Sequence, residues 1–172
     1  MPSILVVCTG NLCRSPAGEL LLRSLLLDDV LISSAGTHAV VGEGVHPLTA
    51  AALAERGVSV EGHAARQLTA EQVAGADLVL GMTREHRAAA VRLHPPAASR
   101  AYTLAELARL AAALPAGEGS VTEISALRGL SRPRRPVDDD IPDPIGQSAA
   151  VHRTVVEAIA AHAQVIAHLR LA

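Results

Sequence analysis

The chain has 172 residues, 49% of them hydrophobic and 19% charged, with a formal net charge of −2. That suits one domain with a real core, and it excludes both a disordered tail and the basic excess that a nucleic-acid surface needs. All 15 cationic side chains are Arg and none is Lys, which excludes a Walker-type phosphate loop and Lys Schiff-base chemistry.

In chain order, the run SILVV at residues 3–7 reads as a strand buried on both faces of a parallel sheet. A loop with Gly and polar residues follows. Ser15-Pro16 then opens a Leu-rich helix to about Leu27, since Ser is a favoured N-cap and Pro suits the first helical position. Residues 30–34 read as a second strand, and residues 48–56 as a helix stopped by Gly57. A short helix near residues 69–74, a strand at 77–82 and a helix at 83–93 come next, with Pro95 and Pro96 ending the last of these. Residues 101–103 read as a fourth strand, followed by an Ala/Leu-rich helix to Leu114. The closing segment, 148–169, spaces Val151, Val155, Ile159, Ile166 and Leu169 along one helical face. Strands alternating with helices predict a parallel α/β sheet with helices on both faces.

Residues 115–142 break this rhythm. They hold several Pro, the arginines Arg128, Arg132, Arg134 and Arg135, and the acidic run Asp138, Asp139 and Asp140. The stretch is expected to be a long loop within a single domain spanning 1–172, either functional or mobile. No internal repeat or interdomain linker interrupts the chain. Phe and Trp are absent and Tyr102 is the only aromatic residue, so the core is expected to be aliphatic. Two cysteines, no signal-peptide pattern and no apolar run of membrane-spanning length predict a cytoplasmic location without membrane attachment. Abundant Ala and Arg without Lys fit a bacterial genome of high GC content.

The chemistry is concentrated in Cys8-Thr9-Gly10-Asn11-Leu12-Cys13-Arg14-Ser15-Pro16. A loop running from a strand end into a helix N-terminus can aim its amides at one point and form an anion site. Arg14 adds a planar fork suited to two phosphate oxygens. Cys8 lies at the base of that cradle, where the donors that hold a phosphate also stabilise a thiolate, the nucleophilic form. Gly10 relieves crowding near a ligand, and Asn11 tolerates a left-handed conformation while bonding locally. A buried structural Cys is the common alternative for a lone residue after a strand. The coincidence of Cys, Gly, Asn, Arg and Ser-Pro between strand and helix argues against it here.

The run VVCTGNLCRSP resembles the phosphate loop of the low-molecular-weight protein-tyrosine phosphatases. SSAGT at residues 33–37, HAARQL at 63–68, ADLVLGMTREH at 76–86 and DPIG at 143–146 resemble that family's later blocks, in order. The resemblance implies a Rossmann-like phosphotyrosine phosphatase I fold, a four-stranded parallel sheet of order 2-1-3-4 flanked by helices. It implies metal-independent hydrolysis of phosphotyrosine in proteins through a phosphocysteine, without a cofactor. Cys8 is the implied nucleophile, Arg14 the phosphate clamp and Asp143 the general acid and then base. Thr9, Gly10, Asn11, Leu12, Cys13 and Ser15 complete the implied phosphate site. Asp138, Asp139 and Asp140 are lesser candidates for the acid, and Asp143 shaping a turn before Pro144 is the bland alternative.

Ser15 has two compatible roles, capping the helix and donating to the Cys8 thiolate. The family implies a reversible disulfide between Cys8 and Cys13; a small buried thiol is the other reading of Cys13. The eight His are expected to be scattered, without a metal-ligand pair. Among substrates, Leu12 before the second Cys favours the phosphotyrosine branch. Ile145 stands where tyrosine-specific members place an aromatic and can pack on a ring without stacking, while the following Gly-Gln-Ser is closer to the protein-arginine phosphatase and actinobacterial style. Arsenate reductase and a phosphate-binding module without turnover are further alternatives, the latter opposed by retention of Cys8, Arg14 and Asp143. The expected partner is a phosphorylated protein, and the expected assembly a monomer or weak dimer.

Overall fold

Side chains of the first strand alternate between two apolar compartments, and the rest of the architecture fills both. The computed structural model describes residues 1–26, 30–114, 119–128, 133 and 135–170. Strands β1 (Ser3–Cys8), β2 (Leu31–Gly36), β3 (Leu78–Gly81) and β4 (Ala101–Thr103) form one parallel sheet in the order β2-β1-β3-β4. Helices α1 (Arg14–Leu26), α2 (Pro47–Ala54), α3 (Ala70–Gly75), α4 (Arg84–Leu93), α5 (Leu104–Ala111), α6 (Val121–Leu127) and α7 (Ala149–Ile166) surround it.

Ile4, Val6 and Cys8 face the larger core, where they meet Leu22 of α1, Leu53 of α2, Leu107 of α5 and Ile159 of α7. Leu5 and Val7 point the other way, into a smaller core with Val73 of α3 and Ala90 of α4. A strand apolar at every position from Ile4 to Cys8 is what two covered faces require. Truncating the fully buried Leu22 to Ala is expected to cost about 2–5 kcal/mol. Among the described residues, no helix is long and apolar enough to cross a membrane.

The order places β2 on one side of β1 and β3 on the other. The crevice beyond the C-terminal end of β1 is therefore a switch point, where parallel α/β sheets bind ligands. Two glycines let the chain close in there: a Cβ at Gly36 would collide with the Thr9 carbonyl, and one at Gly81 with the Arg87 amide.

Helix starts are marked by side chains, with reciprocal capping boxes at Thr69/Gln72, Thr83/His86, Thr103/Glu106 and Ser120/Glu123. The last of these opens α6 inside the stretch expected to be a loop. Val121, Ile124 and Leu127 repeat every third residue and turn Ile124 fully into the core, a pattern too short to outweigh the surrounding Pro and Gly in the sequence. A 3-10 turn follows at Pro136–Asp139. Arg128, at the end of α6, bonds both Glu106 carboxylate oxygens (2.8 and 2.9 Å) and the Ala101 carbonyl (2.7 Å). Its guanidinium carbon sits 4.1 Å from the centre of the Tyr102 ring. The helix end expected at Leu27, and Arg132 and Arg134, lie outside the described residues.

Candidate active site

β1 ends at Cys8 and α1 begins at Arg14, so the loop between them turns at the switch point. Its carbonyls are taken up from outside: Thr37, His38, Val40 and His46 donate their amides to the carbonyls of Cys8 (2.9 Å), Thr9 (2.9 Å), Gly10 (3.1 Å) and Leu12 (2.9 Å). The Asn11 carbonyl lies 3.0 Å from His63 Nε2. With these carbonyls taken up from outside, the loop lies beside the N-terminus of α1, the arrangement that suits an anion.

Asn11 is the hub of the loop. It is fully buried and takes φ = 57°, the left-handed conformation that Asn tolerates. Its Nδ2 donates to Ser15 Oγ (2.9 Å) and Ser34 Oγ (2.8 Å), and its Oδ1 accepts from the Arg66 amide (2.8 Å). Because Asn11 supplies a proton to Ser15 Oγ, the Ser15 hydroxyl is free to donate, and Cys8 Sγ lies 2.9 Å away. Ser15 was also expected to cap α1. Instead the helix begins one residue earlier and the hydroxyl serves Asn11 and Cys8, with the Ala35 carbonyl at 3.4 Å.

Arg14 is buried, and its NH2 donates to Asp143 Oδ2 at 2.7 Å while NH1 donates to the Ile141 carbonyl at 3.1 Å. Residues 129 positions apart thus meet over the loop, with the Asp143 side chain 49% exposed at the crevice mouth. The alternative acids are each engaged by an arginine: Asp138 by Arg135 (2.8 Å), Asp139 by Arg109 (2.9 Å) and Asp140 by Arg84 (2.9 Å). Of the four aspartates, Asp143 is the one joined to Arg14.

The second thiol has different surroundings. Both cysteines are free and buried. Burial pushes the Cys13 thiol up to about 11, with Thr49 as a hydrogen-bond partner opposing the shift. Contrary to the expectation of scattered histidines, His46 and His152 stack with ring centroids 4.8 Å apart, and both lie beside Cys13. Their ligand atoms lie within 4.8 Å of one another, and His152 Nδ1 is engaged by Thr49 Oγ1 at 2.8 Å. His152 Nε2 is buried near the Pro144 carbonyl without a well-formed hydrogen bond. Burial and the neighbouring His46 hold His152 below the ordinary imidazole range.

Sequence reasoning missed the residues behind the loop. Ser34 Oγ donates to Glu19 Oε2 (2.5 Å), Arg23 bonds Glu19 Oε1 (2.5 Å), and His63 Nδ1 stands 4.0 Å from Glu19 Oε2. A buried Glu is uncommon enough to signal a network, but the helix pattern of α1 hides it. His86 was also missed, and its Nε2 lies 2.9 Å from Thr9 Oγ1. The signal was available, since a His three residues after Thr83 occupies the capping-box position.

Comparison with known proteins places these residues in context. Residues 3–114 match the family model described as low molecular weight phosphotyrosine protein phosphatase. The low molecular weight protein-tyrosine-phosphatase Etp of Escherichia coli (strain K12) is 50% identical over 93 residues, covering 54% of this chain and 62% of Etp. The matched segment therefore spans less than two thirds of that relative. Among solved structures, the Erwinia amylovora tyrosine phosphatase amsI superposes with a TM-score of 0.75 at 29% identity, over 96% of this chain and 90% of the other. The YwlE arginine phosphatase from Geobacillus stearothermophilus gives 0.76 at 28% identity, over 97% and 91%.

Proposed function

The chain belongs to the low molecular weight phosphotyrosine protein phosphatase family, and on that premise we propose that it hydrolyses phosphotyrosine in proteins through a phosphocysteine on Cys8. The observation that carries this reading is the meeting of Cys8, Ser15, Arg14 and Asp143 in one crevice, with Cys8 Sγ 2.9 Å from Ser15 Oγ and Arg14 2.7 Å from Asp143.

The loop amides and the Arg14 fork hold the phosphoryl oxygens, and so neutralise the charge that spreads over them in the transition state. The Cys8 thiolate forms a bond to phosphorus as the bond to the leaving phenolic oxygen breaks. Asp143, protonated, gives that oxygen its proton. Water then attacks the phosphocysteine, Asp143 takes a proton from it, and the S–P bond breaks to release inorganic phosphate. Ser15 donates to the departing thiolate in this second step. The described chemistry uses neither a metal nor a cofactor. The protein acts in the cytoplasm as a monomer or weak dimer on phosphorylated proteins, without nucleic acid or membrane.

Phosphoarginine is a second substrate reading, favoured by one feature. Tyr102, the only Phe, Trp or Tyr of the chain, is fully buried, so no phenyl or indole side chain can stack on a bound phenyl group, and Ile145 beside Asp143 is half exposed. Hydrolysis of p-nitrophenyl phosphate, a phosphotyrosine peptide and a phosphoarginine peptide, in the presence of a chelator, tests both. Wild type is expected to turn over aryl phosphates, Cys8→Ser to lose at least about 10³-fold, and Asp143→Ala to lose roughly 10²–10⁴-fold in kcat. A reduced wild type inert on all three substrates would refute the phosphatase reading. Preference for the phosphoarginine peptide would move the protein to the other branch.

A further inference from the structure

Thr83 caps α4, and the His86 ring folds back over the cap. Nδ1 lies 3.1 Å from the Thr83 amide nitrogen and 3.0 Å from Thr83 Oγ1, while the His86 amide donates to Thr83 Oγ1 at 3.3 Å. A backbone amide can only donate, so Nδ1 is the unprotonated acceptor of this ring, and a neutral imidazole then carries its proton on Nε2. Nε2 lies 2.9 Å from Thr9 Oγ1 and therefore donates to that hydroxyl. A protonated ring would set a second N–H against the Thr83 amide. Burial and the Arg14 charge oppose that state and hold His86 down to about 4, against a weaker upward pull from Asp143 and Asp140.

The consequence falls on Thr9. Its oxygen receives a proton from His86, so its own proton is left to donate away from the ring. Thr9 follows Cys8 directly and is exposed, and the ring that orients it feels both Arg14 and Asp143. We propose that His86 is a positioning residue that fixes the tautomeric chain Thr83–His86–Thr9, holding the Thr9 hydroxyl as a hydrogen-bond donor to the bound phosphoryl group. The proposal rests on the phosphatase reading above and adds to it a specific donor and the residue that aims it. A mere staple between α4 and the loop would need the contact but not its direction.

The test is a double-mutant cycle with a directional rescue. His86→Leu removes the donor, and Thr9→Val removes the hydroxyl at an exposed site without touching the α4 cap. His86→Gln keeps an acceptor for the Thr83 amide and a donor for Thr9, the arrangement that Gln72 already provides for the cap of α3. KM for p-nitrophenyl phosphate and Ki for inorganic phosphate are measured for each, with Kd for phosphate by calorimetry on the wild type. His86→Leu and Thr9→Val are each expected to raise Ki and KM roughly tenfold, more than they lower kcat. His86→Leu should add nothing in the Thr9→Val background, and His86→Gln should return Ki to within about twofold of wild type. An unchanged Ki in Thr9→Val, equal effects of His86→Leu in both backgrounds, or a Gln variant behaving like Leu each overturns the proposal. The Thr9→Val result decides even if His86→Leu does not fold. A wild type that neither binds phosphate nor hydrolyses the ester would defeat the phosphatase reading itself, which is a separate outcome.

Discussion

On the β2 side of the crevice, Asn11, Ser15, Ser34 and Glu19 are all buried and linked to one another. On the opposite side, the segment leading to Asp143 is tied by the pairs Arg135–Asp138, Arg109–Asp139 and Arg84–Asp140, in which the arginine side chains are 76%, 28% and 49% exposed. Buried, fully satisfied networks rigidify and specify one geometry. The Arg135 and Arg84 pairs are open to solvent, and such pairs contribute little stability and weaken with salt, while Asp139 is itself buried. The loop proposed to hold an anion is thus built on the first kind of support, and Asp143, the proposed acid, is carried largely by the second.

Removing the hub of the buried side should produce the largest effect. Asn11→Gly keeps the left-handed backbone but strips all three side-chain bonds. It is expected to cost about 2–4 kcal/mol in chemical denaturation and to lower kcat/KM together with stability. Near wild-type stability would mean that the network is ornamental and that the contrast between the two sides is false.

Acid sharpens the comparison at intermediate scale. His86 is held neutral down to about 4 in the folded protein, against 6.5 for the free side chain. Between those values the unfolded chain binds the extra proton, so this contribution is complete above pH 6.5 and is lost as pH falls toward 4. The loss amounts to at most about 3 kcal/mol. Denaturation midpoints of wild type should fall from pH 6.5 to 5 more steeply than those of His86→Gln. Parallel curves would show that His86 is not held neutral.

The smallest effect is expected on the exposed side. Arg84→Ala removes the forked contact with Asp140, yet the melting temperature should shift by no more than about 2 °C, and less in high salt. A larger, salt-insensitive shift would show that this side is structural as well.

How much of this the sequence disclosed depended on the range of the interaction. β1, α1 and the loop between them are local, and the Ser-Pro boundary and the Gly and Asn of the turn mark them within one residue. Ala101–Thr103 was legible for the same reason, set off between prolines and an Ala/Leu helix. The α6 segment was not, because seven residues with three apolar positions carry too little periodicity against a Pro- and Arg-rich background. The Glu19–Ser34–Asn11 network joins α1, β2 and the loop, so no spacing in the chain announces it. His46 and His152 stack across 106 positions by the meeting of α7 with the N-terminus of α2, a contact that exists only once the larger core has closed. The sequence blocks around SSAGT and HAARQL pointed to the right segments through resemblance, without saying what their side chains bond.

The ring of Tyr102 lies under Arg128 on the edge strand β4, away from the phosphate loop. In a chain without Trp or Phe, that single phenol accounts for all intrinsic ultraviolet emission. The fluorophore therefore watches the β4–α6 edge, while the proposed ester hydrolysis would watch the crevice. Two melting curves recorded on one sample, one optical and one catalytic, would separate unfolding of the sheet from loosening of the site, with no label added.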